Sequence, residues 1–170
     1  MHRIFAGMAA WASVFMAVQV GLGIAAKRFG LNVVGLHLIL GVLLGIYLSL
    51  LHVMVMFHFI GSGKEMKQAM EVLGEDADLV RRLRKLKMVV SPLATFAPLL
   101  FAAGVIVGGG AHTKALGDWA WVHWAIGGAG VALNAYAFPI EYRALLTNLE
   151  ILREVDERLR REIAPGIYHE

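Results

Sequence analysis

Residues 33–60 read VVGLHLILGVLLGIYLSLLHVMVMFHFI, twenty-eight consecutive positions without a formal charge. A helix needs about 20 apolar residues to cross the hydrocarbon core of a bilayer, and this stretch exceeds that. Its apolar residues cover every helical face, so it does not read as a helix lying on a soluble core. Three other segments have the same character: 4–26, 88–111 with Pro92 and Pro98 near its start, and 119–140 with Pro139 at its end. Backbone groups in lipid must bond within helices or closed barrels. The fold class expected is therefore all-α, an integral membrane four-helix bundle, with residues 1–170 forming a single four-span membrane domain.

Composition agrees. Of the 170 residues 58% are hydrophobic and 17% charged, and mean hydropathy is +0.64. A soluble protein of this size cannot bury so much apolar side chain. The pattern excludes a disordered chain, a nucleic-acid binder and a soluble enzyme. The absence of cysteine excludes disulfides, thiolate zinc sites, iron–sulfur clusters and thiol catalysis. Arg3 before the first apolar run resembles the start of a signal peptide, but the run is too long and flows directly into a second span.

Charge sets the orientation. Thirteen of the sixteen Lys and Arg residues fall at the amino terminus, between the second and third spans, or after the fourth; only Lys27, Arg28 and Lys114 fall on the other side. The positive-inside rule then places both termini in the cytoplasm, as in a bacterial inner (cytoplasmic) membrane protein. Trp119, Trp121 and Trp124 form an aromatic belt at the outer interface. Helices 2, 3 and 4 extend into a cytosolic helical stalk, over 64–87 and 141–163. Its apolar stripes are Met66, Ala69, Met70 and Leu73, then Leu79, Leu83 and Leu86, then Leu145, Leu149, Leu152, Val155 and Leu159. Gly74 to Asp76 make a turn, with Asp78 as an N-terminal helix charge. Gly61-Ser62-Gly63-Lys64 lacks a full phosphate-loop pattern and reads as a hinge between span and stalk. Gly108-Gly109-Gly110 reads as a span end, and no internal repeat is visible.

The chemistry rests on histidine, which inside a membrane faces a partner, a cavity or a metal. His37 and His123 sit at a similar depth near the outer ends of spans 2 and 4, and His112 follows span 3 on the same side. Two imidazoles facing each other across a bundle can supply both axial ligands of an iron porphyrin. Gly35, Gly41 and Gly45, and Gly127, Gly128 and Gly130, would allow close approach of a flat macrocycle. Gly41 and Gly45 also form a GxxxG motif that serves helix packing, within the bundle or in a homodimer.

His52 lies about 22 Å further along span 2 and is rotated about 60° from His37, while His58 is rotated about 60° the other way. Either would ligate an inner haem, with Met8, Met88 or His2 as the opposing ligand. Glu141 and Tyr142, placed near the level of His58, would bind a quinone head group or relay protons; Glu141 is otherwise a solvated interfacial acid or a partner of Arg143. Asn134 and Tyr136 are level with Ser49 and Tyr47 and would bond across helices.

The placement of His37, His52, His58 and His123 over residues 4–141 resembles the four-helix membrane cytochromes of the b type. That resemblance implies one or two haem b groups, electron transfer, and a quinone or a redox partner protein. The histidines on span 2 are fifteen apart rather than fourteen, and they occur on one span only. The serine, arginine and histidine signatures of succinate dehydrogenase anchors are absent. Two rival readings use the same residues: a copper or zinc site built from His37, His112 and His123, with His52 and His58 as further metal ligands, and a structural subunit of a larger membrane complex.

Overall fold

A computed structural model describes residues 1–74 and 76–163, with the side chain of residue 163 left aside. The chain forms four long helices: α1 (His2–Phe29), α2 (Val34–Leu73), α3 (Ala77–His112) and α4 (Trp121–Ile163), with a single 3-10 turn at Gly117–Ala120 before α4. Together they make an all-α four-helix bundle. α4 lies chiefly along α3, and each helix also touches α2.

Three helices, α1, α2 and α3, are long and apolar enough to span a membrane. α4 falls short of that composition although it is 43 residues long. The reason lies in its sequence: His123, Asn134, Glu141 and the glycines at 127, 128 and 130 dilute its apolar residues. Asn134 and Glu141 are fully buried, so the polarity of α4 is spent inside the bundle. The outer surface is the reverse. Leu50, Phe57, Phe96 and Ile106 stand 60%, 67%, 62% and 75% exposed, a distribution that suits lipid rather than water.

One core runs from the spans into the stalk, through Phe5, Leu48, Leu51, Val55, Val90, Leu145 and on to Met66, Leu79, Leu83, Ile151 and Val155. The expected hinge at residues 61–64 is not a break: α2 continues through it, and Ser62 is buried with its hydroxyl donating to the Phe59 carbonyl. Likewise Gly108, Gly109 and Gly110 remain within α3. α1 ends where Gly30 adopts the left-handed conformation (φ 64°), which lets its N–H reach the Ala25 carbonyl.

Close approach of α3 and α4 depends on glycine. A Cβ on Gly104 would lie 2.9 Å from the Gly127 Cα, and one on Gly130 would lie 2.8 Å from the Phe101 Cα. Gly127 and Gly130 thus seat backbone against backbone, as small residues do in membrane bundles. Gly41 and Gly45 are buried against Gln19 and Phe101, so that face is used inside the bundle and is not available to a second copy.

The stalk is closed by charge. Asp76 caps α3, its carboxylate accepting from the Asp78 and Leu79 N–H groups, and Asp78 stands in the first turn as the expected N-terminal helix charge. The same carboxylate meets Arg158 of α4, which also bonds Glu154, and Glu154 in turn takes Arg82 of α3. The Leu79 N–H bond, followed by the Arg158 bond, holds the Asp76 carboxyl below its ordinary range. A lowered folded-state value stabilises the fold above the unfolded aspartate value of about 4, and the contribution fades as pH falls through the lowered value. Asp76→Asn is therefore expected to lose this acid-sensitive part of stability. Thermal unfolding of both proteins above and below pH 4 checks it: the gap between them should narrow in acid.

Candidate functional site

The end of the bundle away from the stalk contains a cavity bordered by Gln19 and Gly23 of α1, His37 and Gly41 of α2, Gly104 and Gly108 of α3, and His123, Trp124 and Gly128 of α4. The centres of water-sized molecules have about 140 Å³ in it, and its whole empty space, counting the part open to the surroundings, is about 820 Å³. The site is a partly open cleft between the helices.

His37 and His123 meet in this cavity. Their ring centroids are 6.0 Å apart and their planes stand at 82°. Each ring is held through the same atom. His37 Nδ1 donates to the Gln19 backbone carbonyl at 3.1 Å, and the Gln19 side-chain amide returns a 2.9 Å bond to the His37 carbonyl. His123 Nδ1 donates to the Gly104 carbonyl at 3.0 Å. A carbonyl can only accept, so both Nδ1 atoms carry hydrogen and both Nε2 atoms keep a lone pair. This tautomer fixing by the second nitrogen is how metal-bound imidazoles are oriented.

The glycines are shaped to these rings. A Cβ on Gly108 would stand 2.7 Å from His123 Cε1, and one on Gly23 would stand 3.1 Å from His37 Cε1. The neighbour in each case is a ring locked by a hydrogen bond, so it cannot yield cheaply. Gly108→Ala is expected to displace the His123 ring and weaken any ligand it holds by about tenfold, within the range seen when a ligand's support is disturbed.

The remaining candidates fall in other places. His112 borders the mouth of the same cavity but is exposed. Among the described residues no three His, Cys, Asp or Glu side chains are arranged to hold a metal ion. His37, His112 and His123 therefore do not converge as a three-ligand copper or zinc site. Met88 is 59% exposed and turns away from the bundle. Met8 packs at the edge of the core, where its carbonyl accepts from the Tyr47 hydroxyl.

Glu141 and Tyr142 separate rather than share a site. Consecutive helical residues differ by about 100°; Glu141 points into the bundle and is fully buried, while Tyr142 meets the His2 ring edge at 6.4 Å. Glu141 is not at the level of His58 but bonds His52, Oε1 to Nδ1 at 2.8 Å. His52 is itself fully buried; its Nε2 bonds Asn134 Oδ1 at 2.9 Å, and its ring stacks on Phe138. Both ring nitrogens of His52 are thus engaged, and as arranged it offers no lone pair to iron. His58, half-buried, bonds Asn148 at 3.2 Å. Of the other span polar groups, Ser49 bonds its own helix at Gly45 and Tyr136 is 62% exposed.

Sequence reading missed Asn148 and undervalued Gln19. Asn134, Glu141 and Asn148 recur every seven residues on one side of α4, all fully buried; that period was the available signal. Gln19 is 8% exposed, borders the cavity, and leaves its Oε1 without a partner. Comparison with protein-family models, with curated proteins and with solved structures finds no match to this chain.

Proposed function

We propose that this is a four-span membrane protein of the b-type cytochrome kind, holding one haem b between His37 and His123 in the outer half of the bundle. The observation that carries the reading is the imidazole pair: two rings on different helices, 6.0 Å between centroids, each with Nδ1 tied to a backbone carbonyl, which leaves Nε2 as the nitrogen without a protein partner. His37 and His123 would hold the iron through those nitrogens; a metal–imidazole bond is about 2 Å long, so the spacing of the two rings leaves room for one metal between them.

The rest of the lining suits the group. Val20, Leu38, Phe101, Val105 and Val131 give apolar walls, and the empty space between the helices, counted out to the open side, is about 820 Å³. Lys27 stands 4.8 Å over the Trp124 ring at the cavity wall, a cation available to propionate carboxylates. Gln19, whose Oε1 lacks a partner, borders the same cavity.

The bound haem would supply one-electron exchange at iron. The chain's own residues do the rest: Gln19 and Gly104 orient the imidazoles, the apolar walls exclude water, and the Gly23 and Gly108 backbones leave the rings space. A quinone or a redox partner protein would exchange the electron. With His52 fully engaged by the protein, a single haem is the reading supported, rather than two.

α4 counts as the fourth span on this reading. It lies along α3 through the bundle, so it shares the depth of the three apolar helices, and its buried polar residues account for its weaker hydropathy. Four spans place both termini, with the basic stalk, on the cytoplasmic side.

The absorption spectrum of the purified protein, oxidised and then reduced, tests the proposal. A Soret band with sharp reduced bands, at one haem per chain, is expected. Failure to bind after haem supplementation, with the helical fold intact, would sink it.

A further inference from the structure

We infer that the buried His52–Glu141 pair is a binding site for a single proton, reached through His58 and Asn148 from the side that carries the stalk. The first half follows from hydrogen-bond logic. Asn134 Nδ2 donates to two backbone carbonyls, Ala97 on α3 and Gly130 on α4, each at 2.8 Å. Only an amide nitrogen can do so, which fixes the orientation of the side chain and leaves Oδ1 as an acceptor. His52 Nε2, 2.9 Å from that oxygen, must therefore carry a hydrogen. The 2.8 Å contact between His52 Nδ1 and Glu141 Oε1 then needs one further proton, on the imidazole or on the carboxyl. Without it a carboxylate oxygen would face a nitrogen lone pair inside a dry core. With it the pair is neutral overall, the only inexpensive state for two ionisable groups that are both 0% exposed.

Among the described residues no further charged side chain bonds the pair. Phe138 of α4 stacks on His52, Phe5 of α1 packs on Phe138, and α3 contributes the Ala97 carbonyl to Asn134. Tyr47 bonds the Met8 carbonyl, His2 meets Tyr142, and Arg143 is exposed. Near His58 the charges that act are the amino terminus and Glu65.

The second half follows from two orphaned oxygens. Glu141 Oε2 and Asn148 Oδ1 are buried without a donor. They lie on one side of α4, two turns or about 10 Å apart, and Asn148 already touches the half-buried His58. Buried acceptors of this kind are met by water, and a short file of water between them would join Glu141 to His58 and to solvent. A proton would pass from solvent to His58, along the file, and onto Glu141 or His52, with no electron moved. This inference does not depend on the haem reading, since nothing in it passes through the His37–His123 cavity.

Infrared pH-difference spectra of the full chain in lipid vesicles test the site, with isotope-labelled histidine and with Glu141→Gln and His52→Gln to assign the bands. The expected result is a single titration in which the Glu141 carboxyl and His52 ring signals change together. Two separate titrations would overturn it. The route is tested with the pair left intact: after a pH jump on the stalk side, Asn148→Leu and His58→Phe should each slow protonation of the pair at least tenfold without moving its midpoint. Unchanged rates in both variants would overturn the route. These two lie at the edge of the network, so the test survives if the core variants do not fold.

Discussion

On the haem proposal, His123→Ala is expected to yield a folded, membrane-inserted protein without the haem bands expected of the parent. The side chain is half-buried at a cavity wall rather than in the tightly packed core, so its removal should leave the bundle standing. What it removes is one of the two imidazoles that border the cavity. If the pair holds haem as proposed, the remaining histidine would bind it far more weakly, and occupancy should fall from the expected one haem per chain toward background. His37→Ala should do the same, whereas His112→Ala, at the exposed mouth, should leave the bands in place. Absorption spectra beside circular dichroism separate the outcomes. Full retention of an unchanged spectrum in either His37→Ala or His123→Ala would remove the assignment.

Replacing His52 with Leu should give the largest loss of stability of any single change in the bundle, about 3–5 kcal/mol, because it strands a buried carboxyl together with the Asn134 oxygen. Glu141→Leu should cost less, about 1–3 kcal/mol, since it leaves only the Nδ1 acceptor of a neutral imidazole unpaired. The double variant is the informative one. With both groups replaced by apolar side chains, only Asn134 Oδ1 lacks a partner, so the double variant should lose less than the sum of the singles by at least about 1 kcal/mol. Denaturant unfolding in mixed micelles measures the cycle, and simple additivity would show that the two side chains are not coupled.

These two expectations concern residues whose importance was visible at different levels. Histidine in an uncharged span is rare enough to be noticed in the sequence, and His37 and His123 were paired by depth alone. The partners of the inner histidines were not visible in this way. Tyr142 was grouped with Glu141 because they are adjacent in sequence, yet adjacency on a helix sends side chains about 100° apart. Asn148 drew no notice because it lies in the predicted stalk, beyond the expected end of the fourth span. Gly108, which seats the His123 ring, reads in the sequence only as part of a span end, and Gly104, which seats α4, carries no signal there.

The amino-acid sequence alone determined that this chain is helical, that most of it belongs in lipid, that its basic residues gather on one side, and that, without cysteine, its candidate chemistry is imidazole, carboxylate and phenol. Those properties are local: charge-free length, residue type and side of the membrane. Tertiary structure alone decided the axial register of α2 against α4. Their meeting residues are 82 to 90 positions apart, His52 with Asn134 and Glu141, His58 with Asn148, where the expected span ends differ by 86 at one end (33 and 119) and by 80 at the other (60 and 140). A helix of nearly uniform hydropathy can slide by two turns with little change in apolar burial, so its sequence carries no mark of register. Glycine contacts between backbones and a few buried hydrogen bonds set that register. They thereby decide that two histidines share a cavity at the end away from the stalk while a third bonds a buried carboxylate further along the bundle.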